Sequence, residues 1–199
     1  MKMKINSVVK LCALTAAICA ANASYAAGPQ TATVTIHATV APTCSISATS
    51  LEFNNYDPTS TTDKTGTGTV TLTCVKGSQP TISLTAGLNP NGAQRRMINA
   101  VTSDFLNYDL FKPTAANPAI DLPNTACLGT ENQPWGLDVP SRLHPPTAPS
   151  ADPLTYNICG VIPKGQLTVG TGDYNDMGFV KVRSDHPNDF KSFGAFNAI

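Results

Sequence analysis

Charge is scarce in this sequence: Lys and Arg number 13, Asp and Glu 13, and together they make up 13% of 199 residues. With no basic run among them, tracking of a phosphate backbone is excluded and nucleic acid is not an expected partner. Beyond the N-terminal region no apolar run approaches the 18 residues that a membrane-spanning helix requires. No C-x-x-C pair occurs, which argues against zinc. His37, His144 and His186 lie in separate segments with no H-E-x-x-H, and no serine sits in G-x-S-x-G, Ser192 lacking the first glycine. The triplets at 66–68 and 170–172 have two glycines but no third at phosphate-loop spacing, so they read as turns. Asp57, Asp173 and Asp176 read as turn residues bonding nearby backbone amides rather than as a catalytic pair. No enzyme, cofactor or metal site is expected.

What is present begins with an export signal over residues 1–26. Lys2, Lys4 and Lys10 give a positive start, an apolar run follows over 11–21, and Ser24 and Ala26 supply small residues for cleavage after Ala26. Cutting after Ala23 is the alternative; Ile18 before Cys19 is a poor lipoprotein match. Loss of the leader removes three lysines and leaves 10 basic against 13 acidic residues, a net charge of −3. Cys12 and Cys19 leave with it. Cys44, Cys74, Cys127 and Cys159 remain, an even number in an exported chain, which favours two disulfides.

The remaining chain is rich in Thr, Ser, Asn, Gly and Pro, the composition of short strands joined by turns. Its clearest periodicity comes first: Ala32, Val34, Ile36, Ala38 and Val40 alternate with Thr31, Thr33, Thr35, His37 and Thr39. A period of two in β-branched residues gives a strand with one apolar face, ended by Pro42. Another strand starts at Cys44. A loop or broken edge is expected over 54–68, then strands over 69–75, 81–85, 105–111 and 154–162. Further strand is expected over 165–172 and, last, over 179–183. Residues 112–153 are dense in proline and hold the single tryptophan, Trp135. Seven or so short strands with turn signals between them predict an all-β sandwich.

Several pieces, in order, resemble the spore coat U family, which includes subunits of archaic (Csu-type) chaperone–usher pili. They are Cys44; Leu51, Glu52 and Phe53; Tyr56 and Asp57; Gly66 and Gly68 before Thr73 and Cys74; Gly87; Arg96 and Met97. Residues 106–111, Trp135 with Gly136, and 156–166 with Gly160, Ile162, Pro163, Gly165 and Gln166 follow, then 172–176. The match covers roughly 44–183. Three departures stand out. Asn54 and Asn55 replace a frequent glycine, Phe111 replaces a common tyrosine, and some sixteen residues follow a weak final strand.

The resemblance implies an incomplete, pilin-like immunoglobulin sandwich (42–183) whose open groove receives a neighbour's N-terminal extension (27–41) by strand addition. Ala32, Val34, Ile36, Ala38 and Val40 are then the donor residues; the pattern alone fits a first strand of the domain's own sheet equally well. The resemblance also implies a Cys44–Cys74 bond, which leaves Cys127 and Cys159 for each other. The expected function is a structural subunit of a secreted pilus, passing through the periplasm to the cell-surface fimbrium. Expected partners are other copies or related pilus subunits, a periplasmic chaperone and an outer-membrane usher. An adhesive tip module, in which Trp135 anchors a sugar, and a spore or cyst coat protein are the alternatives. The tail 184–199, with Phe190, Phe193, Phe196 and Ile199 every third residue, has three open roles: cover for an open edge, partner contact, or disorder.

Overall fold

The computed structural model describes residues 33–113, 121–184 and 190–198. The expected leader and Ala32 lie outside the described residues. Residues 33–39 belong to a unit separate from the body that begins at Val40. They carry no strand, and Val34 and Ile36 are 79% and 89% exposed.

The body is all-β. Its strands are β1 (Cys44–Ala48), β2 (Lys64–Cys74), β3 (Thr81–Leu84), β4 (Arg95–Asn99), β5 (Phe105–Phe111), β6 (Leu154–Ile162), β7 (Tyr174–Arg183) and β8 (Phe190–Ala198). They pair antiparallel along one path, β1-β2-β6-β5-β4-β7-β3, with β8 also on β7. Alternate residues face one core: Val70 and Leu72 of β2, Tyr156 and Ile158 of β6, Tyr108 and Leu110 of β5, Val180 and Val182 of β7. Strands from both ends of the path share that core, so the sheet curls and its two halves form the layers of a sandwich.

Strands β5 and β6 have the bounds their alternation predicts. Elsewhere the structure corrects the sequence reading. Strand β2 begins at Lys64, inside the expected loop, and β7 begins at Tyr174 rather than at 179. Residues 165–172 form turns, not a strand. Gly165 and Gly172 have φ of +77° and +138°, which break an extended chain, and Leu167 is 70% exposed. Strand β4 is an addition to the expected set. The tail supplies β8, and Phe196 and Ala198 are buried there.

Four cysteines form two disulfides, Cys44–Cys74 and Cys127–Cys159. The first joins residues directly opposite in the β1–β2 ladder. The second ties the proline-rich connection to β6. That connection is also held by a buried pair, Lys112 Nζ lying 4.0 Å from Asp121 Oδ2. Lys112 Nζ further donates to the Arg142 carbonyl (3.1 Å).

Candidate functional site

Three glycines and a stray segment build the site. Gly66 of β2 and Gly160 of β6 are cross-strand partners, leaving a patch of sheet without side chains. Residues 51–53 cross this patch. A Cβ on Gly66 would sit 2.6 Å from the Glu52 carbonyl oxygen, and one on Gly160 would sit 2.7 Å from Phe53 Cζ. The bare backbone therefore lets Leu51 and Phe53 reach the core, where both are buried. Asn54 then turns the chain at φ +54°, a left-handed position that glycine or asparagine takes at low cost. That is the physical sense of asparagine where the family often has glycine.

Residues 51–52 form one wall of a groove and β7 forms the other. On one side Glu52 bridges Thr67 of β2; on the other Leu51 bridges Ala198 of β8 in parallel. Strand β8 fills the gap, antiparallel to β7 from Arg183 opposite Phe190 to Asp176 opposite Ala198. Its ladder slips between Phe179 and Lys181, where β8 carries one extra residue. Phe196 lies opposite Gly178, and its ring occupies the space a side chain there would need: an added Cβ would come 2.2 Å from Phe196 Cζ.

Behind the groove a buried polar network fixes the inner face of β7. The Tyr108 hydroxyl donates to Asp176 Oδ2 (2.8 Å), while the Leu88 amide (2.9 Å) and Asn89 Nδ2 (3.2 Å) donate to Oδ1. Arg95 donates to the Thr85 (3.1 Å) and Trp135 (2.7 Å) carbonyls, and Trp135 Nε1 donates to the Ile82 carbonyl (3.1 Å). Burial, then the Asp176 charge, pushes the Tyr108 hydroxyl far above the usual tyrosine range. Burial pulls the Arg95 guanidinium below its ordinary value, against the attraction of Tyr108, Asp109 and Asp176. The network satisfies its members, so it makes a rigid wall rather than a reactive centre.

Residues 52–56 also border a cavity of about 470 Å³. Glu52, Phe53 and Tyr56 line one side, Gly172 and Tyr174 the other, and Met97 is among its further lining residues. The Tyr56 hydroxyl donates to the Pro163 carbonyl (2.9 Å) and accepts the Gln166 amide (3.2 Å). Gln166 in turn bonds both backbone groups of Asn107, as a strand neighbour would.

The other sequence candidates do not converge. Asp57 accepts the amide and hydroxyl of Thr59, and these bonds lower its pKa. Asp176 is structural, and Asp173 lines the cavity mouth. His186 lies outside the described residues, and Trp135 is fully buried. Cys127, Cys159 and Glu131 lie close together, but both sulfurs are in the disulfide and Glu131 accepts the Leu128 and Gly129 amides. Among the donor residues, Val34, Ile36 and Val40 are exposed, as is Ala38. The groove itself escapes a reading of the sequence because its walls lie over a hundred positions apart; the glycines at 66, 160 and 178 are its only trace.

Among solved structures the chain is similar to the CsuC–CsuE chaperone–tip adhesion subunit pre-assembly complex from archaic chaperone–usher Csu pili of Acinetobacter baumannii. Identity is 21% over 74% of this chain, with a TM-score of 0.46, and the chain spans 41% of that one. It is also similar to the CssB subunit complemented with a donor strand from CssA of enterotoxigenic Escherichia coli (14% identical, 77% and 94% covered, TM-score 0.41). Protein U of Myxococcus xanthus is 31% identical over 165 residues, covering 75% of this chain and 82% of that protein. The Spore Coat Protein U domain matches residues 30–181. An all-β chain with this match, and two disulfides suited to an extracytoplasmic compartment, belongs to the spore coat protein U domain family.

Proposed function

We propose that this chain is a structural subunit of a secreted surface pilus, assembled by strand donation through a periplasmic chaperone and an outer-membrane usher. One observation carries the reading. Residues 33–40 alternate like a strand, present Val34, Ile36 and Val40 to solvent, and form no strand of their own. A segment with this alternation and no strand of its own calls for a sheet to join, and main-chain bonds to a neighbour's open edge supply one. Ala32, Val34, Ile36, Ala38 and Val40 are the residues proposed to enter the neighbour's groove.

The contrast between adjacent positions tests it. Ile36→Asp would bury a carboxylate in the neighbour, a cost of several kcal/mol, whereas Thr35→Asp faces the other way. Ile36→Asp is expected to abolish surface polymers while folded subunit still accumulates in the periplasm; Thr35→Asp is expected to leave them. Equal effects would overturn the register, and loss of the subunit itself would place the strand in its own domain.

The family description favours one second reading, a coat protein that uses the domain without a fibre. Genes for a chaperone and an usher beside this one would favour the pilus, and their absence the coat. The tip-adhesin alternative loses its sugar anchor, because Trp135 is fully buried.

A further inference from the structure

The groove between residues 51–52 and β7 is occupied by the chain's own β8. We propose that β8 is a stand-in strand, displaced during assembly by residues 32–40 of a second copy. This rests on the reading of those residues as a donated strand.

Four features favour exchange over permanent closure. The lengths match: β8 has nine residues, and so does the alternating segment 32–40. The spacing matches as well, since Phe196 and Ala198 of β8 are both buried and lie two apart, and the incoming segment offers apolar side chains at every second position. The seat of β8 is imperfect, with a one-residue slip between Phe179 and Lys181 that a strictly alternating strand need not make. Finally, residues 52–56 and 172–174, next in sequence to the two walls, border an open cavity. A second strand can reach that cavity while β8 is still in place, so the two can trade pairings progressively with the core never fully bared to water.

A lock on β8 tests this in the full-length mature chain. Met177 and Asn197 are direct partners in the β7–β8 ladder, so Met177→Cys with Asn197→Cys should form a cross-strand disulfide. Met177→Ser with Asn197→Ser is the control. The probe is a fluorescent peptide of residues 31–41. The serine control and the unaltered chain are expected to take up the peptide slowly, with amide exchange of 190–198 rising as it binds; the locked chain is expected to take up none. Equal uptake by locked and unlocked chains would overturn the proposal, because the peptide would then bind away from β8. So would absence of uptake by every form, or failure of the introduced disulfide between positions 177 and 197 to appear in peptide mapping. Peptide exchange by a chain that forms no surface polymers in cells would support the stand-in strand and defeat the pilus reading alone.

Discussion

Tyr108 and Tyr156 are both fully buried, and their hydroxyls meet opposite circumstances. Tyr108 donates to Asp176, while the Tyr156 hydroxyl has no hydrogen-bond partner among the described residues. Removing a donor from a buried carboxylate costs about 1–3 kcal/mol, whereas removing an unsatisfied hydroxyl costs little and can stabilise. Tyr108→Phe is therefore expected to lower the urea midpoint and Tyr156→Phe to leave it unchanged or raise it. The pH dependence has a definite sign. Burial raises the Tyr108 pKa in the folded state, so the unfolded chain loses its proton first. The associated stability is complete below about pH 10, the ordinary tyrosine value, and falls as pH rises beyond it. Urea unfolding on both sides of that pH should show the decline, and Tyr108→Phe should make it shallower. An unchanged slope would place the alkaline sensitivity elsewhere.

At the scale of elements, the two disulfides provide a matched pair. Their sequence separations are 30 and 32, so the loop-closure terms are nearly equal, about 3–4 kcal/mol each on the chain-entropy account. Replacing Cys44 with Cys74 by serines, or Cys127 with Cys159, is then expected to cost the same within about 1 kcal/mol in urea unfolding. A large difference would show that one bond acts through the folded state. Strands are legible in the sequence where inward positions are apolar, as in β5 (Leu106, Tyr108, Leu110) and β6 (Tyr156, Ile158). Strand β4 is not, because two of its buried positions are Arg95 and Asn99. Their polarity is satisfied by distant carbonyls and by the amides of Val101 and Thr102 respectively, which no local pattern announces. Leu167 and Val169 alternate like a strand, yet Gly165 and Gly172 bend the chain. In the tail the eye catches phenylalanines at every third residue, whereas Phe196 and Ala198, both buried, are two apart as strand geometry requires. The alternation at 32–40 is fully legible; the groove proposed to receive it is not, since it exists only once residues 51–52 and β7 are brought together by the fold.

For the whole molecule, the proposed function gives each chain one strand to donate and one groove to receive. Such a contact is heterologous: the surface that gives differs from the surface that takes, so successive chains extend an open fibre unless the rotation closes a ring. A chain lacking residues 28–40, with its leader retained, would keep the groove and lose the strand. It can be received into a fibre at one end only, because the next chain finds nothing to accept from it. Co-expression with the unaltered chain is thus expected to multiply fibre ends and shorten the fibres as its fraction rises, with total subunit export preserved. Electron microscopy of fibre lengths, with a tag on the shortened chain, reads this directly. The tag should mark one end of each fibre. Tag distributed along fibres of unchanged length would mean that subunits are held by some other contact, and the head-to-tail scheme would fail.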